Sequence, residues 1–221
     1  MRWLVLVALL AAGCAGAPLP TSTPTSTPVP TPTATPTEVV SASPTVGLLD
    51  LCDTADREGC ELAPGTYSPS LTTPKMTFTL PEGWVGVRHY PDGWSLIHEG
   101  VILSFARDVT FGEDEPAEPG LAGFEQMLRS ASALQVGDAQ VTEIGGVPAV
   151  QLDVVAVDDA SGLLALDADR YNLSEGQKAR FVVFAIGESI AMFIVESFDE
   201  AGFDAAVATA QPVLDSVAFE Q

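Results

Sequence analysis

Chemistry in this chain would have to come from a short list of side chains: two histidines, His89 and His98, three cysteines, Cys14, Cys52 and Cys60, and 30 acids against 9 Lys and Arg. The histidines flank Pro91-Asp92-Gly93, a strong hairpin signal. If that turn pairs residue 89 with 96, both imidazoles share a sheet face with Val85, Val87 and Leu96. A transition metal needs further ligands, and no cysteine or adjacent carboxylate in the hairpin supplies them. Two histidines at the edge of an apolar sheet face is the simpler reading. Gly187-Glu188-Ser189-Ile190-Ala191 has the outline of a nucleophile elbow. That device needs a strand-to-helix turn and a second Gly after the Ser, whereas here Ala191 follows and the next segment reads as a strand. A carboxylate pair for glycoside hydrolysis can always be found among 30 acids, but platforms for sugars are few among 3 Trp and 3 Tyr. Trp84 and Trp94 read as core or turn residues. Glu113-Asp114-Glu115, and Asp158-Asp159 with Asp167 and Asp169, lack the spacing that converges oxygens on calcium, and read as solvated loop charge. The sequence therefore assigns no catalytic residue, no metal ligand and no cofactor-binding residue.

The formal net charge of −21 over 221 residues argues against nucleic acid or anionic head groups as partners, since both reward a basic surface. The length suits one domain plus additional segments. Mean hydropathy is +0.26, yet the only apolar run near membrane length is at the start.

That start has a positive Met1-Arg2, an apolar Trp3 to Leu10, small residues Ala11-Ala12-Gly13, and then Cys14. It is too short to span a bilayer stably and reads as a cleaved signal peptide over residues 1–13. Leu10-Ala11-Ala12-Gly13-Cys14 resembles the lipobox of bacterial lipoproteins. The resemblance implies cleavage just before Cys14, a diacylglyceryl group on its sulfur, and a membrane anchor on the extracytoplasmic face. Residues 14–45 follow as a tether: Ala17 to Thr45 is almost all Pro, Thr, Ser and small residues, with a single charge at Glu38. Such a stretch buries too little to offset its ordering entropy, and its prolines bias it toward extended polyproline II at ~3.1 Å per residue.

With Cys14 lipidated, Cys52 and Cys60 remain, and two thiols so close together outside the cytoplasm are expected to form a disulfide. The rival, a metal or redox pair, lacks CxxC spacing and a nearby His. Residues 46–74 thus form a stapled lead-in to a folded domain over residues 75–221.

Within that domain Met76, Phe78 and Leu80 alternate with threonines, the period of a half-buried strand. Trp84 to Tyr90 and Trp94 to His98 form the hairpin, and Val101 to Val109 the next strand. Leu121, Phe124, Met127, Leu128, Ala131 and Leu134 recur at helical period. Strands are expected at Ala139 to Ile144 and Pro148 to Val157 around Gly145-Gly146, then at Ala179 to Ile186 and Ser189 to Phe198. A helix starting at Asp199 or Glu200 carries Phe203, Val207, Ala210 and Leu214, with Pro212 able to kink it, and Val217 to Phe219 closes the chain. Strand runs separated by only two helices argue for an α+β fold, an antiparallel sheet flanked by helices.

Three motifs carry a resemblance: Phe78-Thr79-Leu80-Pro81-Glu82-Gly83-Trp84, Ile144-Gly145-Gly146-Val147-Pro148-Ala149, and Phe203 through Leu214-Asp215-Ser216-Val217-Ala218-Phe219. Together they are similar to PsbP-like domains and to the LpqN-type bacterial lipoproteins. The resemblance implies an α/β/α sandwich, usually in small extracytoplasmic or adaptor proteins without an enzymatic site. Ala165 to Lys178 is extra to the minimal pattern. The expected function is a lipid-anchored, non-catalytic binding or adaptor domain of the cell envelope. Its partners are the membrane through Cys14 and an envelope protein or small ligand, with no nucleic acid and no cofactor. The alternative is an extracytoplasmic hydrolase or small-molecule binder with a site in the sandwich cleft. A deep pocket containing perturbed acids would favour that alternative.

Overall fold

The lead-in contributes strands of its own, Cys60–Glu61 (β1) and Gly65–Tyr67 (β2), before the expected first strand, Met76–Leu80 (β3). These come from a computed structural model that describes residues 47–52, 59–109, 120–166, 169–187 and 189–220, without the side chains of residues 165, 166 and 169. The expected signal peptide, Cys14, the tether and the acidic cluster at 113–115 lie outside the described residues. Asp50 Oδ1 accepts from the Leu51 and Ser70 amides at 2.9 and 2.8 Å, latching the start of the lead-in to the stretch before β3.

The expected hairpin is β4 (Val85–Tyr90) and β5 (Gly93–His98), in a different register. Tyr90 pairs with Gly93, and His89 pairs with Trp94 rather than with residue 96. The turn uses only Pro91 and Asp92, and a bulge between Gly86 and Arg88 shifts the pairing beyond it. β6 (Val101–Arg107) continues the sheet, and α1 (Leu121–Ser130) follows. The helix ends earlier than its apolar period implied. Ala131 turns extended, and Leu134 opens β7 (Leu134–Val136), where pairing with the long strand β9 overrides the local pattern. β8 (Gln140–Ile144) and β9 (Val147–Ala156) meet at Gly145-Gly146 as expected.

A hairpin that periodicity did not reveal follows, β10 (Ala160–Leu166) and β11 (Asp169–Leu173). β12 (Lys178–Ile186) and β13 (Ser189–Ser197) are the buried central strands, and α2 (Phe203–Asp215) and β14 (Ala218–Phe219) complete the chain. α2 starts at Phe203, because Asp199 accepts the Gly202 amide at 2.7 Å in a turn before it. It runs on through Pro212, whose missing N–H leaves only the carbonyl of exposed Ala208 without its helical donor.

The main sheet is antiparallel, in the order β1-β4-β5-β6-β13-β12-β9-β7, with β8 also on β9 beyond β7. Cross-strand partners share a face, so its two faces can be read from register. One carries Trp94, Leu96, Leu103, Phe105, Phe193 and Phe184, and is closed by α2 and the small sheet β14-β3-β2. The other carries Ala106, Met192, Ile194, Phe181 and Leu152, and is closed by α1 and the β10–β11 hairpin. The antiparallel sheet with two helices agrees with the expected class in its coarse form. It departs from an α/β/α sandwich in that each face is covered as much by β structure as by helix.

The first face holds a run of rings: Phe78 to Trp94 at 4.8 Å between centroids, Phe105 to Phe193 at 5.2 Å, and Phe184 to Phe193 at 5.8 Å. Each fully buried Phe of this kind contributes about 3–5 kcal/mol against truncation to Ala. Trp84 and Trp94 are core residues, each 1% exposed.

Candidate functional site

Two features of the fold could carry function, and they lie on opposite faces of the sheet. The first is a cavity of about 330 Å³, partly open to solvent, at the far edge of the α2 face. Its floor is Ile144, Val182, Leu214 and Val217. Its rim is Thr142, Glu143, Gln151, Gln211 and Asp215. The sequence motifs build it from both sides. Gly145 takes φ +56, and a Cβ there would come within 2.8 Å of the Phe219 ring, so the β8–β9 turn sits directly on the closing strand. Ser216 Oγ accepts the Thr79 amide at 2.8 Å and donates to the Val213 carbonyl at 2.7 Å, tying the end of α2 to β3. Gln211 Nε2 donates to Asp215 Oδ1 at 2.7 Å, which turns both side chains along one rim of the cavity. No Lys or Arg lines it.

The second feature is Glu196 on β13, on the α1 face, where register sets it between Ile102 and Ala179. Burial pushes its carboxyl up to about 7, although the Tyr171 hydroxyl and the Arg88 charge pull the other way. Burial also holds Tyr171 well above the usual phenol value, with the Glu196 charge adding to the effect. Tyr171 Oη is buried without a hydrogen bond of ordinary geometry. Beside this pair Ser95 Oγ and Ser104 Oγ share a hydrogen bond of 2.8 Å. Sequence reasoning missed Glu196, though the signal was there: one acid in the apolar run Ile190 to Val195 and Phe198. Its partner Tyr171 came from the unforeseen hairpin.

The histidines do not converge. Both lie on the face of Leu96, as expected, but Val85 faces the opposite side with Ile97. His89 stands across from Trp94, four positions along β5 from His98, so roughly 13 Å separates them at the ~3.3 Å rise of a strand. His98 stacks on Trp84, 5.3 Å between centroids, over Gly83. Among the described residues no group of three or more His, Cys, Asp or Glu side chains could hold a metal ion. Ser189 opens β13 opposite Ile186 in a strand-to-strand turn. Asp159 serves its loop, accepting the Glu175 amide at 3.0 Å, and Asp158 accepts the Asp159 amide at 2.8 Å. Cys52 and Cys60 are joined in a disulfide, Cα atoms 6.5 Å apart, against Gly86 of β4. Among the described residues no helix is long and apolar enough to cross a membrane.

No protein-family model matches the chain, and no curated protein matches it. Solved structures do match. Cyanobacterial PsbP (CyanoP) from Synechocystis sp. PCC 6803 is 14% identical over 72% of this chain and 94% of that one, with a TM-score of 0.43. LpqN of Mycobacterium tuberculosis, a protein involved in cell envelope biogenesis, is 11% identical over 72% of this chain and 87% of that one, with a TM-score of 0.38. A protein from Bacteroides thetaiotaomicron VPI-5482 is 9% identical over 66% of this chain, at a TM-score of 0.37, and the chain spans 45% of its length. These TM-scores are low, and the fold described above stands on the chain's own register and burial.

Proposed function

We propose that the chain is a lipid-anchored, extracytoplasmic binding domain of the cell envelope, with a PsbP-like fold held off the membrane by residues 14–45. The anchor is Cys14, and the partner is an envelope component that engages the domain from solution. The observation that carries the reading is the separation of the two features. The cavity is open and sits at the sheet edge, whereas the carboxyl held near neutrality is on the other face, inside the core. A hydrolytic site would need the perturbed acid and the substrate cleft in one place. The motif residues supply the joints of the fold: Gly83 lies under His98, Gly145 against Phe219, and Ser216 on Thr79.

The test is affinity isolation of the full chain from intact envelopes after crosslinking in place. A defined envelope component should be recovered with the wild-type chain and should fall away when Cys14→Ser releases the protein from the membrane. Recovery of no component above a mock isolation would end this reading.

A further inference from the structure

We propose that the outer edge of β8 receives an extended, basic peptide segment of the envelope partner by strand addition, with one of the segment's side chains entering the cavity beside it. This rests on the binding-domain reading above and specifies the chemistry of the partner.

The backbone provides the first argument. The β8–β9 hairpin closes through the two-residue turn Gly145-Gly146, both at positive φ (+56 and +81). In such a hairpin the closing pair, Ile144 and Val147, exchanges both of its bonds, and so does every second pair outward. Those pairs are Thr142 with Ala149 and Gln140 with Gln151. The N–H and C=O groups of Val141 and Glu143 therefore point away from β9. Among the described residues no strand pairs with that edge.

The neighbouring half of the same edge is managed quite differently. Arg129, held by Glu125 at 2.8 Å, reaches from α1 and donates to the carbonyls of Val136 and Gly137 at 3.2 and 2.8 Å. That covers the edge where β7 ends, a usual defence against unwanted strand pairing. β8 has no such cover among the described residues, and Val141 stands 91% exposed on it.

Charge selects the occupant. The cavity lies on the face of Thr142, Asp215 is its acidic lining residue on that side, and no cation is among its lining residues. On that face Arg180, two positions along β12 from Val182, is already held by both oxygens of Asp153 at 2.7 and 2.9 Å. A second copy of this chain would bring another −21 of charge to the edge. The chain's own segment from Ala17 to Thr45 has no Lys or Arg and carries prolines throughout, which cannot donate along a strand. A basic extended segment from another protein satisfies both the bare backbone and the acidic rim.

The experiment uses the full chain in detergent and two labelled peptides, one alternating lysine with valine and one alternating glutamate with valine, read by fluorescence anisotropy. The lysine peptide should bind saturably and weaken as salt rises, and the glutamate peptide should not bind. Val141→Pro removes one outward N–H and no bond to β9, and should weaken binding by ~10-fold or more. Val141→Lys, at an exposed side chain, should weaken the lysine peptide without altering thermal unfolding. Asp215→Asn should weaken it several-fold. Equal binding of the two peptides, or wild-type affinity in both Val141 variants, would overturn strand addition at β8. If the lysine peptide fails while the Val141→Lys chain still recovers the wild-type envelope component, the binding-domain reading survives and the β8 assignment does not. If neither peptide nor component is bound, both fall.

Discussion

Glu196 sits in an apolar strand, and its energetic consequence follows from linkage. With its carboxyl raised from 4.5 to about 7, the folded chain holds a proton across that interval which the unfolded chain has released. The folded state therefore gains from Glu196 only at low pH, and that contribution is lost as pH rises toward 7. Above that value the buried charge costs the fold on the order of 3 kcal/mol. Glu196→Gln should leave stability at pH 4.5 nearly unchanged and raise it at pH 8 by a few kcal/mol, measured by urea unfolding of the two proteins in parallel. Equal stability of variant and wild type at pH 8 would show that Glu196 is solvated. The position of this acid was legible as an oddity of sequence, but its environment was not. Tyr171 comes from β11, and nothing in the local pattern of residues 160–173 announced that hairpin. The histidine register failed because the turn is Pro91-Asp92, one position earlier than Asp92-Gly93. The bulge at residue 87 then turned Val85 to the other face, with no alternation to betray it.

Elements with a strong period or a decisive turn were legible, and those whose ends depend on partners were not. The β8–β9 hairpin was set by Gly145-Gly146, and these two glycines allow a paired test. Gly145→Ala meets both a left-handed backbone and the Phe219 ring, whereas a Cβ at Gly146 meets open space. Gly146→Ala should cost ~1 kcal/mol, and Gly145→Ala distinctly more, ~2–3 kcal/mol, compared by thermal unfolding. Equal costs would mean that the turn does not press on the closing strand. α1, by contrast, lost Ala131 and Leu134 from its expected face because β7 pairs with β9 there. The Cys52–Cys60 bridge belongs to this scale too, since it joins the lead-in beside the β1–β4 edge. Its eight-residue separation gives about 2.5 kcal/mol in the chain-entropy picture, so Cys60→Ser should lower stability by that order. A variant as stable as wild type would make the staple dispensable.

For the whole molecule, the proposal joins an N-terminal signal peptide and a Pro/Thr-rich spacer to the sheet-rich domain of residues 47–220. An antiparallel sheet with two helices was readable from period and spacing; a layer on each face was only what the family resemblance implied. The share of each face covered by β structure was not readable, because the lead-in strands and the β10–β11 hairpin carry weak local signals. The proposed lipid anchor outside the cytoplasm is tested by a single spectrum of the purified protein. Intact-mass analysis of protein extracted from membranes should find a chain beginning at Cys14 with acyl mass attached there. On reduction it should gain two hydrogens as Cys52 and Cys60 part. A chain retaining residues 1–13, or one beginning elsewhere without acyl mass, would contradict the account.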